Sequence, residues 1–174
     1  MTTTRTAPRV LGIDPGLKVT GYAVLEVSPR GPQLCEAGVI RGRTRDSLAA
    51  RVNEIFDGVA DVIASFSPSC MALEELFSHY KRPRTSILMG HARGVICLAA
   101  ARAGIPVTSY SATRIKKTLT GNGQAAKPQM QRAVARELGL TEAPEPHDVA
   151  DALAAALCHF YMQPDWAAVA RRRA

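Results

Sequence analysis

Two carboxylates each follow a short apolar run of the chain. Asp14 comes directly after residues 10–13, and Glu74 comes directly after residues 70–73. A short apolar run bounded by turn residues predicts a buried strand, so each acid is expected at the carboxyl end of a strand, where open α/β sheets place their ligand sites. Because an isolated buried carboxylate is costly, these acids need a cation, hydrogen-bond donors or water nearby.

A second pair of acids, Asp148 and Asp151, stands three residues apart at the start of a predicted helix. That spacing puts both on one helix face, about a turn apart, where they can share a cation or a water. Four oxygen donors without a nearby cysteine favour a hard divalent ion, Mg²⁺ or Mn²⁺, and Mg²⁺ commonly takes phosphate oxygens as further ligands. The acids therefore predict metal-assisted phosphate chemistry, provided that the fold brings them together.

Each acid also has an ordinary structural interpretation. Asp14 could shape a turn, Asp148 could cap its helix, and Asp151 could favour the helix dipole. Glu74 and Glu75 are adjacent, so in a strand they should point to opposite faces. The sequence alone leaves open which of the two reaches a shared site.

The elements that must hold these acids alternate between strand and helix patterns. Three β-rich runs open the chain at 10–13, 22–27 and 34–40, and a helical apolar repeat runs from Ser47 to Phe66. The strand 70–73, a helix over 85–103, the strand 107–110, a helix over 112–119, a helix that Pro128 starts and Gly139 closes, and a helix over 146–160 follow. This order predicts a mixed sheet covered by helices in one α/β domain.

Composition limits the class of protein and its partners. The 174 residues suit one domain, and 22 Lys plus Arg against 15 Asp plus Glu give a charge of +7, which favours an acidic partner such as nucleic acid. The apolar stretches are too short to cross a membrane, and the start does not resemble a secretory signal, so we expect a cytoplasmic protein. We also expect flexible tails at 1–9 and 164–174, the second one basic.

The four cysteines lie far apart without a paired C-x-x-C motif. This spacing argues against a zinc site and against a disulfide framework. We therefore expect reduced thiols within the core.

Five motifs around the acids resemble a known family. They are LGIDPG at 11–16, VTGY at 19–22, ALEELF at 72–77, GHARG at 90–94 and DVADALA at 148–154. In this order, they resemble the RuvC family of bacterial Holliday junction resolvases, in the ribonuclease H-like nuclease superfamily. The resemblance extends from Val10 to about Phe160.

The resemblance implies a ribonuclease H-like nuclease domain over 10–163, with a mixed five-stranded sheet flanked by helices on both faces. It also implies that Asp14, Glu74, Asp148 and Asp151 are catalytic and hold two Mg²⁺ ions, or Mn²⁺, with Glu74 rather than Glu75 pointing inward. The implied activity is structure-specific cleavage of four-way DNA junctions by paired symmetric nicks in recombination and repair. Two-metal hydrolysis would leave 5′-phosphate and 3′-hydroxyl ends.

The same resemblance implies a set of residues that contact DNA. Lys116 and Lys127 would lie near the scissile phosphate, with Lys127 taking part in catalysis, and Phe77 would contact or unstack junction bases. Further candidates for DNA binding are Arg84, Arg114 and Lys117, although Lys117 could be an ordinary solubilising residue. Helix periodicity lets Arg114 and Lys117 share a face while Lys116 points elsewhere.

The resemblance also bears on the partners of the chain and on a further candidate ligand. Family members act as homodimers, and the helix over 85–103 is apolar on more than one face, which predicts that it supplies a dimer interface. The RuvA and RuvB proteins, which hold and move the junction, are partners implied by the family alone. His147, beside the acidic pair, could replace Asp148 as a ligand or support the ligands.

Three other functions compete with this interpretation. An actin-like ATPase also begins with a strand followed by Asp-x-Gly, but it needs two lobes and gives Asp148 and Asp151 no role; ATP turnover without DNA would distinguish it. A noncatalytic module would bind junctions without magnesium-dependent nicking. A related nuclease that acts on RNA or on another branched DNA would be identified by substrate competition.

Overall fold

The computed structural model describes residues 7–43, 45–76 and 83–166. The elements in chain order are β1 (Arg9–Asp14), β2 (Val19–Ser28), β3 (Gly31–Arg41), α1 (Leu48–Phe66), β4 (Cys70–Glu74), α2 (Pro83–Arg102), β5 (Val107–Tyr110), α3 (Ala112–Thr120), α4 (Lys127–Leu138) and α5 (His147–Met162). The predicted succession of strands and helices is confirmed. None of the helices in the described ranges is both long and apolar enough to cross a membrane.

The strands form one mixed sheet with the order β3-β2-β1-β4-β5. Short connections join β1, β2 and β3 as antiparallel neighbours. β4 and β5 run parallel to β1, and they are reached through helices: α1 connects β3 to β4, and α2 connects β4 to β5. β1 lies in the centre of the sheet, which explains why its sequence is a continuous apolar run. The predicted mixed five-stranded sheet is therefore confirmed.

Helices cover both faces of the sheet, and strand alternation decides which residues meet which helices. Leu11 and Ile13 of β1 pack in one core with residues of α1 and α2. Val10 of β1 and Ala72 of β4 pack in a second core with residues of α3, α4 and α5. Even-numbered residues of β1 and β4 therefore face α5. Asp14 and Glu74, at the ends of these strands, are even-numbered and lie on the same face.

Helix α5 lies directly on the backbone of the sheet. A Cβ atom at Gly12 would stand 2.2 Å from the Ala152 carbonyl oxygen, and one at Gly21 would stand 2.0 Å from the Asp148 carbonyl oxygen. Only glycine fits at these two positions, and its missing side chain lets the first turns of α5 pack directly against the backbones of β1 and β2.

A buried histidine holds the C-terminal half of α5 on the sheet. The ring nitrogens of His159 lie 3.0 Å from the Tyr110 hydroxyl oxygen and 3.2 Å from the Cys70 sulfur. These contacts connect α5 to β4 and β5, the strands beside β1. The helix is thus held at both ends on the sheet.

Three expectations from the sequence need correction. Arg9, expected in the N-terminal tail, begins β1 and pairs with Glu26 at 2.9 Å. Trp166, expected in the C-terminal tail, packs edge-on to His159 with ring centroids 5.5 Å apart. All four thiols are free, as predicted, but Cys35 is exposed because it lies on the edge strand β3 rather than in the core.

Candidate active site

Asp14 and Glu74 lie side by side at the carboxyl ends of β1 and β4. The preceding residues, Ile13 and Leu73, are partners in the parallel register, so the two acids that follow are neighbours. By the alternation of side chains along each strand, both lie on the face of the sheet that α5 covers. Glu75 lies just beyond β4, exposed, where its backbone N–H donates to the Tyr110 carbonyl oxygen at 2.9 Å.

The first turns of α5 bring Asp148 and Asp151 to the same edge of the sheet. Asp148 stands over β2, since its backbone touches Gly21. The residue that caps α5 is Pro146, and the cap has no side-chain hydrogen bond, so Asp148 does not act as the helix cap. Both acids are half-buried.

The four carboxylates share one electrostatic field. Burial raises the pKa of Asp14 to about 8, with further increases from the negative charges of Glu74, Asp151 and Asp148. Burial also raises the pKa of Glu74, and the charge of Asp151 adds to that increase. Burial and the Asp148 charge raise the pKa of Asp151, against the lowering effect of Lys127. The arrangement favours added positive charge.

Two lysines supply part of that positive charge. The Lys127 Nζ atom lies 3.9 Å from Oδ2 of Asp151, at the first residue of α4. Lys116, half-buried on α3, and Lys127 both lower the pKa of Glu74. With Asp14, Glu74 and Asp151, they line a cleft of about 260 Å³, which we call the lysine cleft.

The other residues predicted to bind DNA lie further out or outside the described ranges. Arg114 and Lys117 are exposed on α3, and neither is among the residues that line the lysine cleft. Arg84 is exposed in the first turn of α2. Phe77 lies outside the described residues.

His147, the open candidate beside the acidic pair, has a partner on α4. Nδ1 of His147 lies 2.8 Å from the Gln131 side-chain amide nitrogen, within hydrogen-bond distance. His147 also lowers the pKa of Asp151, so it contributes to the field of the acids.

Sequence reasoning missed the residue that holds the end of β4. Arg93 of α2 donates from Nη1 to the backbone carbonyl of Glu74 at 2.6 Å and from Nη2 to the Ser109 hydroxyl at 2.6 Å. These bonds tie α2, β4 and β5 together where Glu74 projects. The signal was its place in the GHARG motif at 90–94.

The donor set fits a hard divalent ion, although the side chains are not drawn together around one. In the part of the chain that the structure describes, no three carboxylate, imidazole or thiol groups stand close enough to hold a metal ion. Asp14, Glu74, Asp148 and Asp151 nevertheless offer only oxygen, and burial together with the negative charges of the other three acids raises the pKa of Asp14. Oxygen donors with net negative charge suit Mg²⁺ or Mn²⁺.

Comparison with known proteins places this site in context. Residues 10–159 match the family model described as crossover junction endodeoxyribonuclease RuvC. The protein of that name from Rhodopirellula baltica is 59% identical over 155 residues, covering 88% of this chain and 86% of the relative. Its counterpart from Desulforamulus reducens is 43% identical over 150 residues, covering 86% and 91%.

Solved structures agree with the sequence comparisons. The structure of Thermus thermophilus RuvC superimposes with a TM-score of 0.81 at 36% identity, covering 88% of this chain and 93% of that one. The same protein in complex with a Holliday junction substrate gives a TM-score of 0.83 at 35% identity, covering 89% and 94%.

Proposed function

This chain belongs to the RuvC family of crossover junction endodeoxyribonucleases, and we propose that it resolves four-way (Holliday) DNA junctions by paired symmetric nicks in recombination and repair. The observation that carries the proposal is the grouping of Asp14, Glu74, Asp148 and Asp151 at one edge of the sheet, beside two lysines. Phosphodiester hydrolysis there leaves 5′-phosphate and 3′-hydroxyl ends, which a ligase can join.

The acids act as ligands in this scheme. The family is metal-dependent, and Asp14, Glu74, Asp148 and Asp151 hold two Mg²⁺ ions, or Mn²⁺, when the site is loaded. The bound ions supply activation of the attacking water and stabilisation of the leaving 3′ oxygen. The rigid placement of Asp14 and Glu74 on neighbouring strands and of the two aspartates on α5 sets the geometry in advance.

The basic residues position the substrate. Lys127, within ion-pair distance of Asp151, neutralises charge that develops on the scissile phosphate, and Lys116 binds the phosphate from α3. Arg84, Arg114 and Lys117 are exposed and contact the DNA backbone further from the cut. Phe77 stacks on a junction base.

The chain acts as a homodimer, because two symmetric nicks require two active sites. Its proposed partners are a second copy of the chain and, by family, the RuvA and RuvB proteins. Work on branched chromosomal DNA implies the cytoplasm as its location.

The test separates binding from cutting. Asp14→Asn removes one negative charge from the cluster but keeps the side-chain shape. We expect junction cleavage to fall at least about 100-fold, whereas the dissociation constant for the junction stays within about threefold, because the acid serves the reaction rather than the DNA backbone. Asp61→Asn is the matched control, since Asp61 is exposed on α1.

Full cleavage by the Asp14→Asn protein would contradict the assignment of Asp14 as a ligand. ATP hydrolysis by the wild-type chain without DNA, together with no nicking of the junction, would favour the actin-like ATPase instead.

A further inference from the structure

A larger cleft, of about 640 Å³, reaches Asp14 from the other face of the sheet. We call it the Arg51 cleft. Asp14 and Asp148 are among its lining residues, and its other walls come from the turn after β1 and from the first turns of α1 and α2. The wall residues used below are Leu17, Lys18, Arg51, Thr85, Leu88 and Met89.

Arg51 carries a donor that the protein does not use. Its Nη2 atom donates to the Leu17 carbonyl oxygen at 3.1 Å, which fixes the guanidinium in the wall. Its Nε atom is buried and has no hydrogen-bond partner among the described residues. A buried donor without an acceptor is rare, so the guanidinium of Arg51 has hydrogen-bonding capacity that the protein itself leaves unfilled.

The chemistry of the walls indicates what that acceptor is. The planar guanidinium of Arg51 suits a phosphate, and the exposed Lys18 adds a second positive charge. Leu88 and Met89 form an apolar wall beside these cations. One anionic group next to an apolar surface describes a nucleotide unit of DNA.

The path of the DNA explains why this cleft is needed. An endonuclease cuts inside a strand, so the strand must leave the scissile phosphate on two sides. The lysine cleft, with Lys116 and Lys127, accounts for one side. The Arg51 cleft meets the same carboxylate, Asp14, from the face that α1 and α2 cover.

We propose that the Arg51 cleft binds the nucleotide next to the scissile phosphate, on the side away from the lysine cleft. Arg51 and Lys18 hold its phosphodiester, and Leu88 and Met89 pack against its sugar and base. This inference rests on the proposed junction cleavage and adds a subsite to it.

The experiment removes one charge from the DNA and alters one cationic side chain of the protein at a time. Junctions are made with an uncharged methylphosphonate at a single phosphate, one or two positions to either side of the cut. The protein variants are Lys18→Ala, which changes an exposed side chain, and Arg51→Lys, which keeps the charge but loses the planar guanidinium. Arg30→Ala is the control, because Arg30 is exposed in the turn between β2 and β3, at the opposite edge of the sheet.

We expect each test variant to weaken junction binding in chelator, and single-turnover cleavage in Mg²⁺, by about tenfold. At one flanking position, the methylphosphonate should weaken junction binding and cleavage by the wild-type protein about as much as the protein substitutions do. In the Lys18→Ala protein, the same methylphosphonate should reduce binding and cleavage by less than about a further twofold. Arg30→Ala should show the full methylphosphonate effect. Thermal unfolding of each variant checks that the fold is kept.

The subsite would be overturned if, at every flanking position, the loss from the methylphosphonate and the loss from the protein substitution simply multiplied. No neighbouring phosphate would then depend on Lys18 or Arg51. A wild-type chain that neither binds nor cuts the ordinary junction would instead overturn the proposed function itself. The two failures are therefore distinguishable.

Discussion

At the scale of single residues, the acids differ in how much the sequence reveals. The apolar runs before Asp14 and Glu74 predict strand ends, and those positions are confirmed. The role of each acid as a ligand stays a prediction. The structure adds the environment: burial and three like charges act on Asp14 at once, which no spacing in the sequence could display.

The charge of Lys127 gives a prediction about rate. Lys127→Ala should slow junction cleavage by about 10- to 100-fold and weaken binding by less than about fivefold, because its Nζ atom lies 3.9 Å from Asp151, one of the acids proposed to act on the scissile phosphate. Single-turnover cleavage and equilibrium binding measure the two effects. Arg30→Ala, an exposed change in the turn between β2 and β3, is the control. An unchanged cleavage rate in Lys127→Ala would remove the lysine from the site.

The raised pKa of Asp14 gives a prediction about stability. The ordinary value is 3.8 and the folded value is about 8, so the fold disfavours the charged form. This cost is absent below about pH 4, grows as pH rises, and is complete above about pH 8. In chelator, Asp14→Asn should therefore be more stable than wild type by over about 1 kcal/mol at pH 8, with little difference at pH 4.

Denaturant unfolding at both pH values measures this difference. Asp61→Asn should show no comparable pH dependence, since Asp61 is exposed. A stability difference for Asp14→Asn that is the same at pH 4 and pH 8 would contradict the electrostatic account.

The arginines that brace the site could not be identified from the sequence. Arg93 holds the backbone of Glu74, and Arg51 pairs with Leu17, but each contact joins residues that are far apart along the chain. Only the fold brings such partners together. The sequence could indicate the acids because strand ends are local, whereas bracing arginines depend on tertiary contacts.

At the scale of elements, periodicity predicted the types of strands and helices correctly and missed some of their ends. Helix α2 begins at Pro83 rather than at residue 85, and β2 begins at Val19 rather than at residue 22. β2 is longer because its pairing with β1 continues to Gly21 opposite Asp14, and its pairing with β3 continues to Val19. Pairing across strands is not a local property, so the sequence pattern stops short of it.

The close packing of α5 on the sheet gives a prediction for glycine. Gly12→Ala should lower the free energy of unfolding by about 1–3 kcal/mol or more, because the new methyl would meet the Ala152 carbonyl at 2.2 Å. Asp61→Ala, an exposed change on α1, is the control and should stay within about 0.5 kcal/mol of wild type. A Gly12→Ala protein as stable as wild type would refute the close approach of α5.

At the scale of the whole molecule, α2 leaves an apolar stripe exposed. Ile87 and Leu98 are 63% and 50% exposed, and their spacing of 11 residues puts them on one face of the helix. Gly90 and Gly94 lie between them, and a Cβ at either would meet nothing within 4 Å. Such a stripe is typical of a surface that packs against another chain.

The stripe gives a prediction about assembly. The wild-type chain should sediment as a dimer at micromolar concentration, and the double variant Ile87→Glu with Leu98→Glu should sediment as a monomer, because buried charge opposes association. Leu48→Glu, at an exposed position that begins α1, should remain dimeric. A monomeric wild-type chain would contradict the proposed homodimer.

We propose that this chain cuts four-way junctions with its acidic cluster. The most direct test of this proposal is cleavage of a synthetic mobile junction beside a linear duplex of matched sequence, with Mg²⁺, with Mn²⁺ and with chelator. We expect paired nicks in opposing strands of the junction, dependent on the metal, with the duplex spared and with 5′-phosphate and 3′-hydroxyl ends. Junction binding without nicks under either metal would contradict the account and leave a module that only binds junctions.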